Sequence, residues 1–254
     1  MYKPPAKAPV LQFIGEEQCC QFINQELDKY EGIREDLLRK CCKSYDPQQS
    51  MVVIEIPSCI HAVACAAFGY ITDTWLRQSE TLILSTVSAS VCGKMRDNCE
   101  GRMIRPDGSL KLPREELPCG KSWKWPILVV EIKLSEPISH LMEDIIFWVD
   151  ESDGDVKVMI TVSISRGYKI KIQRWNLHRR PNRADPIPFP TGKIEITRSP
   201  NKKSPHKITE NLTISFEDLY LRPKKPKSTE CDLTFARESL EQMAEQIWIT
   251  QEQA

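Results

Sequence analysis

Alternation of apolar and polar positions is clearest between residues 156 and 175. Val156, Val158, Ile160, Val162 and Ile164 alternate with Lys157, Met159, Thr161 and Ser163, and after Gly167 the segment Tyr168 to Trp175 alternates again. Period two sends successive side chains to opposite faces, so the pattern predicts two strands joined by a break at Gly167. Pro126 to Lys133 reads differently. Ile127, Leu128, Val129, Val130 and Ile132 form a nearly continuous apolar run, the signature of a central strand covered on both faces. Further strands are expected over Met51 to Ile56, closed by Pro57, and over Thr81 to Val87. A weaker one is expected over Arg102 to Asp107, followed by a turn at Gly108-Ser109.

Two stretches carry helical spacing among these strands. Ser58 is a candidate N-cap, followed by the stripe Ile60, Val63, Ala64, Ala67, Phe68, Ile71 and Trp75. Pro137 marks a second start, with Ile138, Leu141, Met142, Ile145, Ile146 and Val149 behind it and a turn at Asp153-Gly154-Asp155. The order strand, helix, three strands, helix, two strands predicts an α/β class with a central mixed sheet flanked by helices.

Outside this core, Phe22, Ile23, Leu27, Tyr30, Ile33, Leu37 and Leu38 predict a helical appendage over 16–43, and 44–50 reads as a loop. Pro181 to Pro190 reads as a connector. A short strand over Lys193 to Thr197 follows, then a basic loop over Lys202 to Lys207. Leu212 to Phe216 reads as a strand and Glu217 to Leu221 as a helical turn. Phe235, Ala236, Leu240, Met243, Ala244 and Ile247 predict a closing helix. The expected organisation is 1–48 as N-terminal tail and helical appendage, 49–178 as core, and 179–254 as basic, Pro-rich connector with a strand and helix extension. No internal repeat is visible.

Composition narrows the picture only slightly. At 254 residues the chain is long enough to bury a substantial core. Lys and Arg (35) balance Asp and Glu (35), so net charge favours no class of partner. No apolar run reaches the length of a membrane span and no secretory signal is visible, so an intracellular location, nuclear or cytoplasmic, is expected. The ten cysteines are then expected as reduced thiols, and none is spaced as in common zinc sites. Charge is uneven locally: Arg166 to Lys207 holds twelve Lys and Arg against Asp185 and Glu195. That segment reads either as a phosphate-tracking lobe or as a solvated region balanced by acids elsewhere.

Candidate chemistry lies at Pro106-Asp107 and, after 23 intervening residues, Glu131-Ile132-Lys133. Glu131 and Lys133 share one face of a strand while Ile132 turns to the other. Two charges on an apolar central strand are costly unless paired or metal-bound. If Asp107 closes a neighbouring strand, three ionisable groups meet. Two carboxylates and the Ile132 carbonyl suit Mg²⁺, with Mn²⁺ as the alternative, and Lys133 suits a role orienting water and stabilising phosphate charge. The bland reading is a Glu–Lys ion pair with an unrelated surface Asp. For His61 it is a hydrogen-bonded residue of a helix first turn.

On these residues the chain resembles the PD-(D/E)XK, or restriction-endonuclease-like, superfamily, and within it a group of uncharacterised, chiefly fungal members. The resemblance runs through Pro106 to Ser109, Pro126 to Glu131, Ser135-Glu136, then Leu141, Asp144 and Trp148, Val156 to Arg166, and Ile170 to Trp175. It covers about half of the chain. It implies a restriction-endonuclease-like core and metal-dependent hydrolysis of phosphodiester bonds, of DNA more than RNA. Asp107, Glu131 and Lys133 would be catalytic, and Asp107, Glu131 and Ile132 would hold the metal. Related nucleases often add an acid from the first core helix just after a His; here His61 is followed by Ala62. The alternative expectation is a non-catalytic module on the same scaffold that binds nucleic acid or protein.

Overall fold

The apolar run around Val129 becomes an interior strand of a seven-stranded sheet. The structure is a computed structural model that describes residues 42–46, 51–54, 58–78, 85–86, 91–92, 101–134, 138–177, 182, 188–199, 206–209 and 211–253. The chain divides into two compact units. One comprises Ser58–Ser88 and Asp107–Ala254, the other Met1–Pro57 and Ala89–Pro106.

In the larger unit, helix α1 (Cys59–Gln78) precedes β3 (Ser85–Thr86), β6 (Gly108–Lys111) and β7 (Leu128–Leu134). Helix α2 (Ile138–Ser152) then leads to β8 (Val158–Ser165) and β9 (Lys169–Asn176). Strands β10 (Pro190–Thr197) and β11 (Lys207–Ile208) complete the sheet, in the spatial order β11-β10-β9-β8-β7-β6-β3. The β7–β8 pair is parallel and every other neighbouring pair is antiparallel, so the sheet is mixed. A parallel pair needs a crossover, and α2 supplies it.

Two layers cover β7. Leu128, Val130 and Ile132 enter a core with Val158, Ile160, Val162 and Ile164 of β8, Ile170 and Ile172 of β9, and Ile194 and Ile196 of β10. Phe68, Ile71 and Trp75 of α1 close it from above. After the short helix α3 (Phe216–Tyr220), the final helix α4 (Arg237–Gln253) does so too, through Leu240, Met243, Ala244, Ile247 and Trp248, which recur at helical spacing. The opposite face of β7, carrying Glu131 and Lys133, meets α2, whose Trp148 packs edge-on against Trp125 and Phe147. Past α2, Asp153 and Gly154 both take positive φ, and Gly154 at +79° fits a residue without Cβ at the turn.

Several expectations change at the edges. Met51–Ile54, expected in the core, is strand β2 of the smaller unit. There it pairs with β1 (Cys42–Asp46), part of which had read as a loop. With β4 (Val91–Cys92) and β5 (Met103–Ile104) these strands form a separate sheet ordered β2-β1-β5-β4. The strand expected over Arg102 to Asp107 is confined to β5. The segment read as a turn at Gly108-Ser109 is instead β6, because its backbone pairs with Val130 and Val129. The expected boundary at 178/179 separates no compact units, since β10 continues the sheet along β9. The helical appendage expected over 16–43 lies outside the described residues up to residue 41, and Cys42–Lys43 begin β1. Among the described residues, no helix is long and apolar enough to cross a membrane.

Gly69 sits in the middle of α1, and a Cβ placed there meets no atom within 4 Å. Gly69→Ala is therefore expected to raise stability by about 0.5–1 kcal/mol, because Ala removes unfolded-state freedom without steric conflict. A urea titration checks this: the midpoint rises with an unchanged slope.

Candidate functional site

Asp107 occupies the point where β6 and β7 part. Its backbone N–H donates to the Val130 carbonyl at 3.0 Å, and regular pairing ends at Gly108–Val130. The next edge donor of β7, the Ile132 N–H, is accepted by the Asp107 carboxylate, with Oδ2 at 2.6 Å. A side-chain oxygen thus continues the ladder where the neighbouring strand has ended. The same oxygen lies 3.3 Å from Nε2 of His61.

His61 is held from α1. Ser58 caps the first turn, its Oγ accepting the His61 N–H at 3.2 Å. The His61 ring and the Asp107 carboxylate are both buried, with side chains 8% and 7% exposed. Burial works against a charged ring, but the hydrogen bonds to Asp107 and Cys65 and the Asp107 charge outweigh it. His61 is pushed up to about 10 and is an imidazolium at neutral pH. One turn on, Cys65 Sγ lies 3.6 Å from Nδ1 and 4.0 Å from Nε2 of the same ring.

Glu131 and Lys133 face α2. Glu131 is 0% exposed; its Oε1 accepts the Trp148 Nε1–H at 3.3 Å and its Oε2 lies 3.8 Å from Lys133 Nζ. Lys133 Nζ is also 3.1 Å from Asp144 Oδ2. Asp144 and Trp148 are one helical turn apart, so α2 presents an anion and an indole donor to the two buried charges of β7. The expected meeting of three ionisable groups is therefore divided about Ile132. Asp107 engages the Ile132 amide and α1, while Glu131 and Lys133 engage α2.

A cavity of about 320 Å³ opens beside Asp107. Cys65, Gly69 and Thr72 of α1 and Ser109, Leu110 and Val130 of the sheet line it. Among the described residues its walls include neither Glu131 nor Lys133.

Magnesium takes hard oxygen ligands in near-octahedral geometry and keeps several waters. Glu131 presents no surface to water. Asp107 Oδ2 already receives an amide and an imidazolium, and Ala62 offers no acid. Among the described residues no group of three or more His, Cys, Asp and Glu is placed to hold a metal ion. As arranged, Asp107, Glu131 and Ile132 do not fit Mg²⁺ or Mn²⁺.

Four cations of the basic segment are answered by acids within the fold. Lys169 and Lys193 both pair with Glu195, Arg174 with Asp218, and Arg198 with Glu245 and Glu252 of α4. No protein-family model matches the chain, and no curated protein matches it either.

Sequence reasoning missed the His61–Asp107 pair and the place of Cys65 beside it. The His61–Cys65 spacing, one helical turn, was the available signal for the second contact. Nothing local signals the first.

Proposed function

We propose that this chain is a non-catalytic binding module on a nuclease-like α/β scaffold, a degenerate relative of PD-(D/E)XK nucleases. The observation that carries this reading is the buried Asp107–His61 pair: the chain itself supplies the cation that faces this carboxylate. The order of strands and helices and the Pro-Asp and Glu-x-Lys positions on adjacent strands support the nuclease-like origin. Enclosure of Glu131 by Trp148 and of Lys133 by Asp144 supports a site turned to structural use. Among the binding classes, protein is favoured over nucleic acid. Four of the cations in the basic segment are committed to internal acids, and phosphate contacts would have to displace them.

A second reading, metal-dependent cleavage, has one observation in its favour, the intact Glu131 and Lys133 on one strand face. One experiment separates the two. Purified protein is incubated with plasmid, single-stranded DNA and RNA in Mg²⁺ or Mn²⁺, beside Glu131→Gln, and Mg²⁺ binding is followed by calorimetry. No cleavage and no saturable metal heat are expected. Cleavage by the parent that Glu131→Gln abolishes would overturn the proposal. Strong, salt-sensitive binding of nucleic acid without cleavage would keep the module but reverse the choice of partner.

A further inference from the structure

The cavity beside Asp107 is bounded by one face of α1, on which Cys65, Phe68, Gly69 and Thr72 recur at helical spacing. Three features coincide here: a half-buried thiol, a buried imidazole–carboxylate pair against it, and an apolar recess that both the thiol and the carboxylate border. We propose that Cys65 is a nucleophilic modification site. Its thiol, set against the His61–Asp107 pair, adds to small apolar α,β-unsaturated carbonyl compounds held in this cavity.

The geometry selects the mechanism. Sγ lies 3.6 Å from Nδ1 and 4.0 Å from Nε2, so the thiol rests directly against the imidazole ring. His61 holds its proton for Asp107 and therefore serves as a fixed cation, not as a base. The thiolate is the attacking species. The thiol gives its proton to water, and the sulfur lone pair forms a bond to the β-carbon. The C=C pair moves to the carbonyl as an enolate, and a proton from water completes the adduct at the α-carbon. Nothing is oxidised or reduced and no group leaves.

The cavity selects the electrophile. Phe68, Leu110, Leu128, Val130 and Ile132 favour an apolar body, and the volume of about 320 Å³ restricts it to a small one. The absence of a Cβ at Gly69 keeps part of the space open.

The molecule carries its own comparators, because Cys59, Cys119 and Cys231 are free and exposed. The full chain is treated with substoichiometric ethyl vinyl ketone at neutral pH, and adducts are located by peptide mapping over time. If exposure governed the rate, those three thiols would react before Cys65. The expected result is the reverse, with Cys65 modified about tenfold faster than any of them. His61→Gln and Asp107→Asn should remove most of this advantage. Gly69→Leu, which fills the recess, should slow Cys65 while leaving the three exposed thiols unchanged. A Cys65 rate no greater than those of Cys59, Cys119 and Cys231 in the parent chain would overturn the proposal whether or not any variant folds. So would an undiminished advantage in folded His61→Gln, with circular dichroism establishing the fold.

Discussion

Lys133→Ala is expected to cost about 3–5 kcal/mol of stability, a large share of what holds a domain of this size folded. The magnitude follows from what the substitution leaves behind. Glu131 is 0% exposed and its Oε2 lies 3.8 Å from Lys133 Nζ, while Asp144 shares the same ammonium at 3.1 Å. Without the lysine, the carboxylate must stay charged against the Trp148 indole or take up a proton. Either outcome costs folding free energy. Lys133→Met with Glu131→Leu removes the two charges of β7 and leaves only Asp144, at the edge of the site, without the ammonium, and replacing a buried pair with apolar side chains is often neutral or stabilising. The double variant should therefore be more stable than Lys133→Ala. Urea unfolding of the two variants checks this. A Lys133→Ala midpoint within error of the parent would show that the pair contributes nothing.

The second large effect belongs to Asp107. Asp107→Ala leaves the Ile132 N–H without its acceptor and a buried imidazolium without its counter-charge, at about 3–5 kcal/mol. Asp107→Asn keeps an oxygen for the amide and loses only the charge, so it should cost less. The pair also carries a pH signature. His61 rises from its ordinary 6.5 to about 10 on folding, so the folded state binds its proton more tightly than the unfolded state. The resulting stabilisation is fully present below about 6.5, declines as pH rises through the window, and is gone above about 10. The stability difference between the parent and His61→Gln should therefore shrink steadily from pH 6.5 to 10. A difference that stays flat across that window would remove the protonated pair from the account.

Much of the scaffold was legible because periodicity is a local property. Period two at 158–165 and 169–176 and the apolar run before Glu131 became β8, β9 and β7. The stripes behind Ser58 and Pro137 became α1 and α2. Gly108-Ser109 was misread because a Gly-Ser pair weighs toward a turn when nothing in the sequence shows the strand it pairs with. β10 begins at Pro190, earlier than expected, because a proline at a strand's first residue withholds only one donor.

The candidate site divides in the same way. Strand alternation alone put Glu131 and Lys133 on one face, whereas Asp144 and Trp148 entered the sequence reading only as positions of the family resemblance. What that face meets was decided by packing: α2 folds its anion and its indole over the two charges of β7. The partner of Asp107 was not accessible to local reasoning, since His61 lies on a different element and reaches Asp107 only once α1 lies across the sheet. The sequence by itself determined the α/β class, the two helices and three long strands around the site and the identity of the buried charges, because backbone period and side-chain chemistry are written residue by residue. Only the tertiary structure decided that these charges satisfy one another, because desolvation and ion pairing depend on neighbours that the chain brings together from far apart.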